Sequence, residues 1–432
     1  MLLKRLFLCI PFCGFLVGCS LNPRVELQPQ VETITAEEIA KKTFSTLTGG
    51  LRNGEVVLNS LDSLSNSQAN SLYLANFKQG GFLLFGTRQD GVEVIGFSES
   101  GKMNFSDTIK VPFLESLFGQ ARIHLSNLNP VLDLGDGPKE PKIIYPYALY
   151  RTEEFSVEHI YSPSCFRYFD QDLPFNKYLL HKGKPGRYTP AGCGPIAIAT
   201  VFSHYRKQGI GDSQVNWDLL FEEYNIPLQS KYLLTDFYAM GDLDINKTHR
   251  DSILRDQLVD QLAVMIADIS NNAYIYRDEE HTITPKYLLK AYLRRKGFSV
   301  MEEVYKPEDL IPYLEKEKRP VVLFGWNKEK KKMAHYWVVD GLAKRTIVEY
   351  IKCVNAPGQE EDWKVHEYRH SYFVHCNWGW GGAIKGGPRY DGYFNYKVFN
   401  AEKIVDNHNL RSSDKQDNGD YYSVDIIKVR PI

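Results

Sequence analysis

The stretch from Thr189 to Tyr205 constrains the fold most, because it sets one cysteine at the start of an apolar, helix-periodic run. Gly192 and Gly194 leave both flanks of Cys193 without side chains, and Pro195 suits the first turn of a helix. The apolar positions then recur with helical spacing at Ile196, Ile198, Ala199, Phe202 and Tyr205. The pattern predicts a helix that carries the Cys193 thiol at its N-terminus.

A thiol in this position is a candidate nucleophile. The unpaired amides and the dipole at a helix N-terminus favour negative charge, so they lower the pKa of a thiol toward the reactive thiolate. A lone cysteine on such a helix is nevertheless more often a small buried apolar side chain. The interpretation of Cys193 as a nucleophile therefore depends on its partners.

Two strand-like segments supply those partners. His335 stands at the head of a β-branched and aromatic run, and Asn377 ends a second run of the same kind. His335 follows Cys193 by 142 residues, and Asn377 follows His335 by 42. Papain-like enzymes place their His and Asn roughly 130–150 residues after the Cys, a range that His335 meets and that Asn377, 184 residues after Cys193, exceeds. The order of the three residues and the spacing of His335 predict Cys193 as nucleophile, His335 as base and Asn377 as the residue that orients the imidazole.

The same residues carry a family resemblance. Gly192-Cys193, Ala334-His335 with Val339-Asp340-Gly341, and the block Asn377 to Gly382 followed by Asp391 to Phe394 resemble the streptopain family of bacterial cysteine peptidases. The resemblance implies that Gln171 lines the oxyanion hole and that Trp378 and Trp380 support the site. The sequence departs from the family in two places: it has Gly194-Pro195-Ile196 where Val-Ala-Thr is usual, and it inserts residues 383–390 before Asp391.

The order of elements fits an α+β fold. Helical patterns at Asp251 to Ile269 and Thr284 to Arg295 precede a buried-strand pattern at Pro320 to Trp326. We therefore expect a papain-like catalytic domain over residues 141–432, with a helical half and an antiparallel β half.

An additional module precedes that domain. Thr35 and Glu38 match a capping box that opens a helix, and short strand patterns follow up to Phe97. Residues 35–140 resemble the propeptide of streptopain relatives, which implies a zymogen whose own prodomain acts as an intramolecular inhibitor. A small β-rich spacer is the alternative.

The N-terminus has the composition of an export signal. Lys4 and Arg5 precede an apolar run within residues 1–18 that is too short to span a bilayer. Leu16-Val-Gly-Cys19 resembles the lipobox of bacterial lipoproteins and implies lipidation of Cys19; an ordinary signal peptide is the alternative. Residues 19–34 are expected to form a tether, and Ser20 favours the outer membrane. The protein is thus expected to be anchored to the cell envelope by lipid, or secreted after processing.

Charge and cysteine content exclude other classes. A net charge of −1 and a pI near 6.8 supply no electrostatic reason to bind nucleic acid. With Cys193 kept for chemistry, the exported part retains Cys165, Cys353 and Cys376, an odd number that argues against a disulfide framework, although one bridge among the three stays open.

A rival motif is present at His366-Glu-Tyr-Arg-His370, which matches the His-Glu-x-x-His pattern of zinc proteases. That pattern needs a helix to bring both imidazoles to one metal. The flanking residues predict a strand, which would hold the two histidines roughly 13 Å apart. We therefore expect no metal or other cofactor.

The function that follows is a cysteine endopeptidase acting on proteins or peptides through a thiolate–imidazolium pair. A catalytically silent surface adhesin or inhibitor with the same fold is one alternative. A papain-like transferase or processing protease is another.

Overall fold

The computed structural model describes residues 35–49, 55–64, 71–88, 91–109, 112–128, 148–155, 157–180, 186–207, 215–224, 245–273, 276–277, 282–327, 334–356, 359–360, 362–380, 390–399 and 422–432. The predicted signal peptide, Cys19, the tether, most of the insert before Asp391 and the domain boundary near residue 140 lie outside these residues. The division into a 35–140 module and a 141–432 catalytic domain stays a prediction.

The described chain forms seven α-helices and fifteen strands. The helices are α1 Ala36–Leu47, α2 Pro112–Leu128, α3 Cys193–His204, α4 Trp217–Tyr224, α5 Ile245–Asn272, α6 Lys286–Arg295 and α7 Pro307–Glu317. The strands are β1 Leu58–Leu64, β2 Leu72–Phe77, β3 Phe82–Arg88, β4 Gly91–Ser98, β5 Ala148–Glu154, β6 Glu158–Tyr161, β7 Tyr276–Arg277, β8 Thr282–Ile283, β9 Phe298–Val304, β10 Val321–Asn327, β11 His335–Ala356, β12 Gln359–Glu360, β13 Lys364–Asn377, β14 Gly392–Asn395 and β15 Tyr422–Pro431. None of the described helices is both long enough and apolar enough to cross a membrane.

The chain divides into two compact units, the smaller of which comprises residues 1–50, 131–157 and 345–371. Its helix α1 begins at Thr35 with both hydrogen bonds of the predicted capping box. Its strand β5 pairs antiparallel with the later part of β11. Arg345 donates to Glu154 at 3.0 Å beside that pairing.

The larger unit comprises residues 51–130, 158–344 and 372–432. Its strands follow the order β1-β2-β3-β4-β14-β13-β11-β10-β15-β9. Strand β4 joins β14 through Phe97 opposite Tyr393 and Gly96 opposite Phe394. The segment predicted as a separate module therefore continues the sheet that carries His335.

Strands β10 and β11 separate two hydrophobic cores in the larger unit. Alternate side chains of a strand point to opposite faces. Tyr336 and Val338 accordingly pack into the core that surrounds α3, while Trp337 and Val339 pack into the core that contains α2 and α7. Cys165 and Cys376 are buried as free thiols, and the side chain of Cys353 lies outside the described part of the chain.

Most of the expected elements are present. The helix at Cys193, the capping box at Thr35 and the strand at Val321–Asn327 are confirmed, and the mixed helix and strand content agrees with the expected α+β class. Helix α2 was not predicted, although apolar residues recur with helical spacing at Leu114, Leu117, Phe118, Ala121 and Leu125.

Candidate active site

The Cys193 thiol lies at the first position of α3 and is partly buried. Gly192 precedes it with a φ of 89°, a conformation that favours glycine, and a Cβ there would lie 2.5 Å from the Thr282 methyl carbon. The chain can therefore enter α3 past Thr282 only without a side chain at residue 192.

Two opposing influences act on the pKa of the Cys193 thiol. The backbone N–H groups of Tyr336, Gly194 and Cys193 itself favour the thiolate and pull the pKa down. Burial acts in the opposite direction and dominates, so the pKa of Cys193 is raised above its ordinary value. The lowered thiol pKa expected from the sequence is therefore not found in this form of the chain, because desolvation disfavours the thiolate more than the three amides stabilise it.

Burial also holds the base neutral. The side chain of His335 is buried, and this lowers the pKa of His335 to about 4, with a hydrogen bond to Trp378 opposing the shift. At neutral pH the site of the full chain thus contains a thiol and an imidazole rather than the ion pair.

One hydrogen bond fixes the tautomer of that imidazole. His335 Nε2 lies 3.1 Å from the carbonyl oxygen of Trp378. Because a carbonyl oxygen only accepts, Nε2 carries the hydrogen and Nδ1 carries the lone pair. Nδ1 is therefore the atom equipped to take a proton from the thiol.

Three indoles surround the imidazole. The ring centroid of His335 lies 6.2 Å from Trp337, 6.5 Å from Trp378 and 6.4 Å from Trp380, and all three pairs are nearly parallel. Trp378 is itself fully buried, and its amide donates to Asp391 at 3.0 Å. The two tryptophans expected to support the site both lie beside His335.

Asn377 makes different contacts from those expected. Its Nδ2 donates to the carbonyl of Phe166 at 3.1 Å, and its Oδ1 accepts from the amide of Gly379 at 3.2 Å. The acceptor that the structure gives to His335 Nε2 is the neighbouring Trp378 carbonyl. A direct role for Asn377 in orienting His335 stays a prediction, while its observed role is to brace two backbone segments of the site.

Gln171 is held close to the nucleophile by its backbone. Its carbonyl accepts from the amide of Ala191 at 2.7 Å, two residues before Cys193, and its side chain is buried. Buried polar groups also fix the segment that leads to it: Asp340 accepts from the amide of Cys165, and Ser203 accepts from the amide of Phe166. The fold thus brings Gln171, Cys193 and the start of β11 into one region.

The zinc-like motif lies elsewhere. His366 and His370 are exposed on β13, which is a strand, as predicted from its flanking residues. His370 contacts Thr346 at 3.1 Å. Within the part of the chain that the structure describes, no group of three or more His, Cys, Asp or Glu side chains is placed to hold a metal ion.

Comparison with protein families decides the class. The model of the peptidase C10 family matches residues 169–394, just over half of the chain and the range that contains Gln171, Cys193, His335 and Asn377. The chain belongs to the peptidase C10 family. This C10 peptidase is accordingly a cysteine peptidase. The family resemblance and the reaction class that were predicted from the sequence are both confirmed.

Solved structures give more distant similarity. The fragment 39–359 of Prevotella intermedia prointerpain A, in a mutant form with one cysteine replaced by alanine, is 17% identical with a TM-score of 0.43, over 85% of this chain and 98% of that one. Active wild-type interpain A cysteine protease from the same organism is 15% identical with a TM-score of 0.35, over 62% of this chain and 94% of that one. No curated protein matches this C10 peptidase.

Sequence reasoning missed two features of the site. The Trp378 carbonyl cannot be singled out from a residue type, because every residue carries one. Tyr336 was passed over as a strand residue, although its position directly after His335 was the available signal.

Proposed function

We propose that this C10 peptidase is an endopeptidase in which Cys193 is the nucleophile, His335 the general base and acid, and Gln171 an oxyanion donor. The observation that carries the proposal is the position of Cys193 at the N-terminus of α3, within the range matched by the peptidase C10 family model together with His335 and Gln171. The amides at a helix N-terminus favour the thiolate.

The reaction proceeds by acyl transfer. His335 Nδ1 takes the thiol proton, and the sulfur attacks the scissile carbonyl carbon to form a C–S bond. The Gln171 side-chain amide and the Cys193 N–H stabilise the oxyanion. The C–N bond then breaks as the imidazolium gives its proton to the leaving amine. Water, deprotonated by His335, hydrolyses the thioester and restores the thiol.

The test is a substitution in the full-length protein. Cys193→Ala should abolish hydrolysis of casein and any self-processing, because the nucleophile is lost while the fold keeps a small side chain. Cys376→Ala is the matched control, since it removes a buried free thiol that packs in the other core, the one that contains α2 and α7, and it should keep hydrolysis. Hydrolysis by Cys193→Ala at the wild-type rate would contradict the assignment.

We further propose that residues 35–140 inhibit the enzyme until they are removed. Helix α2 supports this role. A cavity of about 30 Å³ is lined by Ser116, Leu117 and Gln120 of α2 together with Trp337 and Trp378. These two indoles lie beside His335. Helix α2, packed against these indoles, favours the buried, neutral state of the His335 imidazole. Removal of α2 would admit water and allow the ion pair of Cys193 and His335 to form.

The proposed location is the cell envelope, through a lipid on Cys19. The apolar run, the basic residues before it and Leu16-Val-Gly-Cys19 support this proposal. Labelling with a fatty-acid analogue should tag the wild-type chain in a bacterial host and should not tag Cys19→Ser. A labelled Cys19→Ser chain would overturn the anchor without affecting the peptidase assignment.

A further inference from the structure

Four residues form a closed ring of contacts around the nucleophile. The Tyr336 amide favours the thiolate form of Cys193, and the Tyr336 hydroxyl donates to the carbonyl of Thr284 at 2.9 Å. The Thr284 side chain packs against Gly194, the neighbour of Cys193. Tyr336 thus makes two of these four contacts. The third is the covalent link between Cys193 and Gly194 in α3, and the fourth is the packing of Thr284 against Gly194.

The contact between Gly194 and Thr284 is very close. A Cβ on Gly194 would lie 2.6 Å from both Cβ and Oγ1 of Thr284. Such separations do not occur between real side chains, so Thr284 occupies the space that a larger residue at position 194 would need. The departure from the family pattern at Gly194 therefore has a physical reason in this chain.

The position of Thr284 is energetically unfavourable for its hydroxyl group. Its side chain is buried, and its Oγ1 has no hydrogen-bond partner among the residues that the structure describes. A buried hydroxyl without a partner is unfavourable, and Val would fill the same space without that cost. Nearby, the Thr282 hydroxyl donates to the Pro190 carbonyl at 2.9 Å, which ties the same segment to the approach to Cys193.

Tyr336 connects this segment to the base. It directly follows His335 in β11, and its buried ring enters the core around α3. The hydrogen bond from its hydroxyl to Thr284 therefore connects the segment that packs against Gly194 to the strand that carries the base.

From these contacts we infer that Tyr336 and Thr284 are positioning residues of the peptidase, which hold the start of β11, with His335 and the Tyr336 amide, against the start of α3, with Cys193. The inference rests on the proposed role of Cys193. Neither side chain is assigned a chemical step.

The first test is Tyr336→Phe in the full-length protein, which removes the hydroxyl and keeps the ring and the amide. Tyr305→Phe is the matched control, because Tyr305 is also buried and donates to a carbonyl, that of Tyr396, at 2.6 Å. The pH dependence of iodoacetamide alkylation at Cys193 is followed by peptide mass analysis. We expect the midpoint to rise by about one pH unit in Tyr336→Phe only.

Kinetics after self-processing give a second measurement of the same variants. Tyr336→Phe should lower kcat on the order of tenfold with KM within about twofold, because misplacing reacting groups affects the transition state more than substrate binding. A purely structural role would change thermal stability in both variants and the midpoint in neither.

The second test exchanges the two sides of the Gly194 contact. Gly194→Ala alone should lower kcat and raise the alkylation midpoint, since the new Cβ collides with Thr284. Adding Thr284→Gly should restore most of both, because it vacates the space. Failure of the double variant to improve on Gly194→Ala, in a protein that still melts cooperatively, would overturn the contact as a determinant of geometry.

The outcomes separate the two levels of proposal. An unchanged alkylation midpoint and an unchanged kcat in Tyr336→Phe, together with an inactive Cys193→Ala, would contradict the positioning role and leave the proposed function intact. Full activity of Cys193→Ala would overturn the proposed function itself.

Discussion

His335 and Trp378 are joined twice, by a 3.1 Å hydrogen bond from the imidazole Nε2 to the Trp378 carbonyl and by nearly parallel rings with centroids 6.5 Å apart. The backbone of the tryptophan thus sets the tautomer of the base, and its indole packs beside the imidazole. Since a carbonyl is present whatever the side chain, replacing Trp378 would keep the hydrogen-bond acceptor and remove the ring contact.

His335→Ala should abolish turnover, because the proton acceptor for the thiol is lost. In His335→Ala chains that wild-type enzyme has processed in trans, alkylation of Cys193 should also slow near neutral pH, since the thiolate loses its imidazolium partner. Alkylation rates compared from pH 5 to pH 9 provide the measurement. Identical profiles for variant and wild type would mean that the pair does not form.

Asn377→Asp distinguishes the observed contacts from the expected ones. A carboxylate keeps an acceptor for the Gly379 amide but sets an oxygen against the Phe166 carbonyl, where Nδ2 now donates. We expect a loss of about 1–3 kcal/mol in the free energy of unfolding and a lower kcat. If Asn377 instead oriented His335 by accepting a hydrogen bond from its Nε2–H, the aspartate would keep or improve activity.

A matched control for that variant is Asn76→Asp. Asn76 Nδ2 donates to the Met103 carbonyl at 2.9 Å, a buried bond of the same kind between residues of the N-terminal module. In the full-length protein it should lose comparable stability, measured by urea unfolding. Because Asn76 belongs to the segment proposed to be removed, it serves as a control for the stability loss alone.

The full-length chain should lose stability on mild acidification. The pKa of His335 is lowered by burial to about 4, so the unfolded chain binds the proton more readily. Its contribution is present above pH 6.5 and is lost as the pH falls from 6.5 to 4. At pH 5 the loss from this residue is on the order of 2 kcal/mol.

Urea unfolding at pH 7 and pH 5 measures that loss. His335→Gln should remove most of it, and His366→Gln, on the exposed part of β13, should not. Burial also lowers the pKa of His159 and of His204, so some acid sensitivity persists in every variant. Equal pH dependence in wild type and His335→Gln would contradict the buried neutral imidazole.

Leu117→Ala should speed activation of the full-length protein, because it loosens α2 where that helix lines the cavity beside Trp337 and Trp378. Leu125→Ala removes an equally buried leucine from the same helix, but one that packs against Gly86 of β3. The time course of self-processing on a gel, compared at temperatures equally far below each melting point, should show the shorter lag only for Leu117→Ala. Equal lags would argue against the proposal that packing of α2 against these indoles inhibits the enzyme.

Chelation should leave hydrolysis unchanged in the processed enzyme. The two histidines of the zinc-like motif lie on a strand, and the assigned chemistry uses a thiol and an imidazole. Dialysis against EDTA followed by a casein assay tests this. Loss of activity that zinc restores would return the His366 to His370 motif to consideration.

Local patterns predicted the parts of this site that depend on short-range order. The glycines around Cys193 and the helical spacing after it predicted α3, and β-branched flanks predicted a strand at His366 rather than a metal-binding helix. The contacts of Asn377 and the ring through Thr284 were not predictable, because they join segments that are distant in the chain. The extent to which Cys193 is buried could not be predicted from the sequence either. The amides at the helix N-terminus predicted a lowered thiol pKa, whereas burial in the packed site raises it.

Strand β11 has a consequence for how this enzyme tolerates change. Trp337 faces the core that contains α2, and Tyr336, one residue earlier, faces the core that contains α3. Deleting a single residue of β11 before Trp337 would exchange the two faces, turning an indole toward the nucleophile helix and a valine toward α2. Insertions and deletions in this short segment should therefore be far more damaging than substitutions. A change of length reverses the core into which each following side chain points, whereas a substitution alters one side chain only.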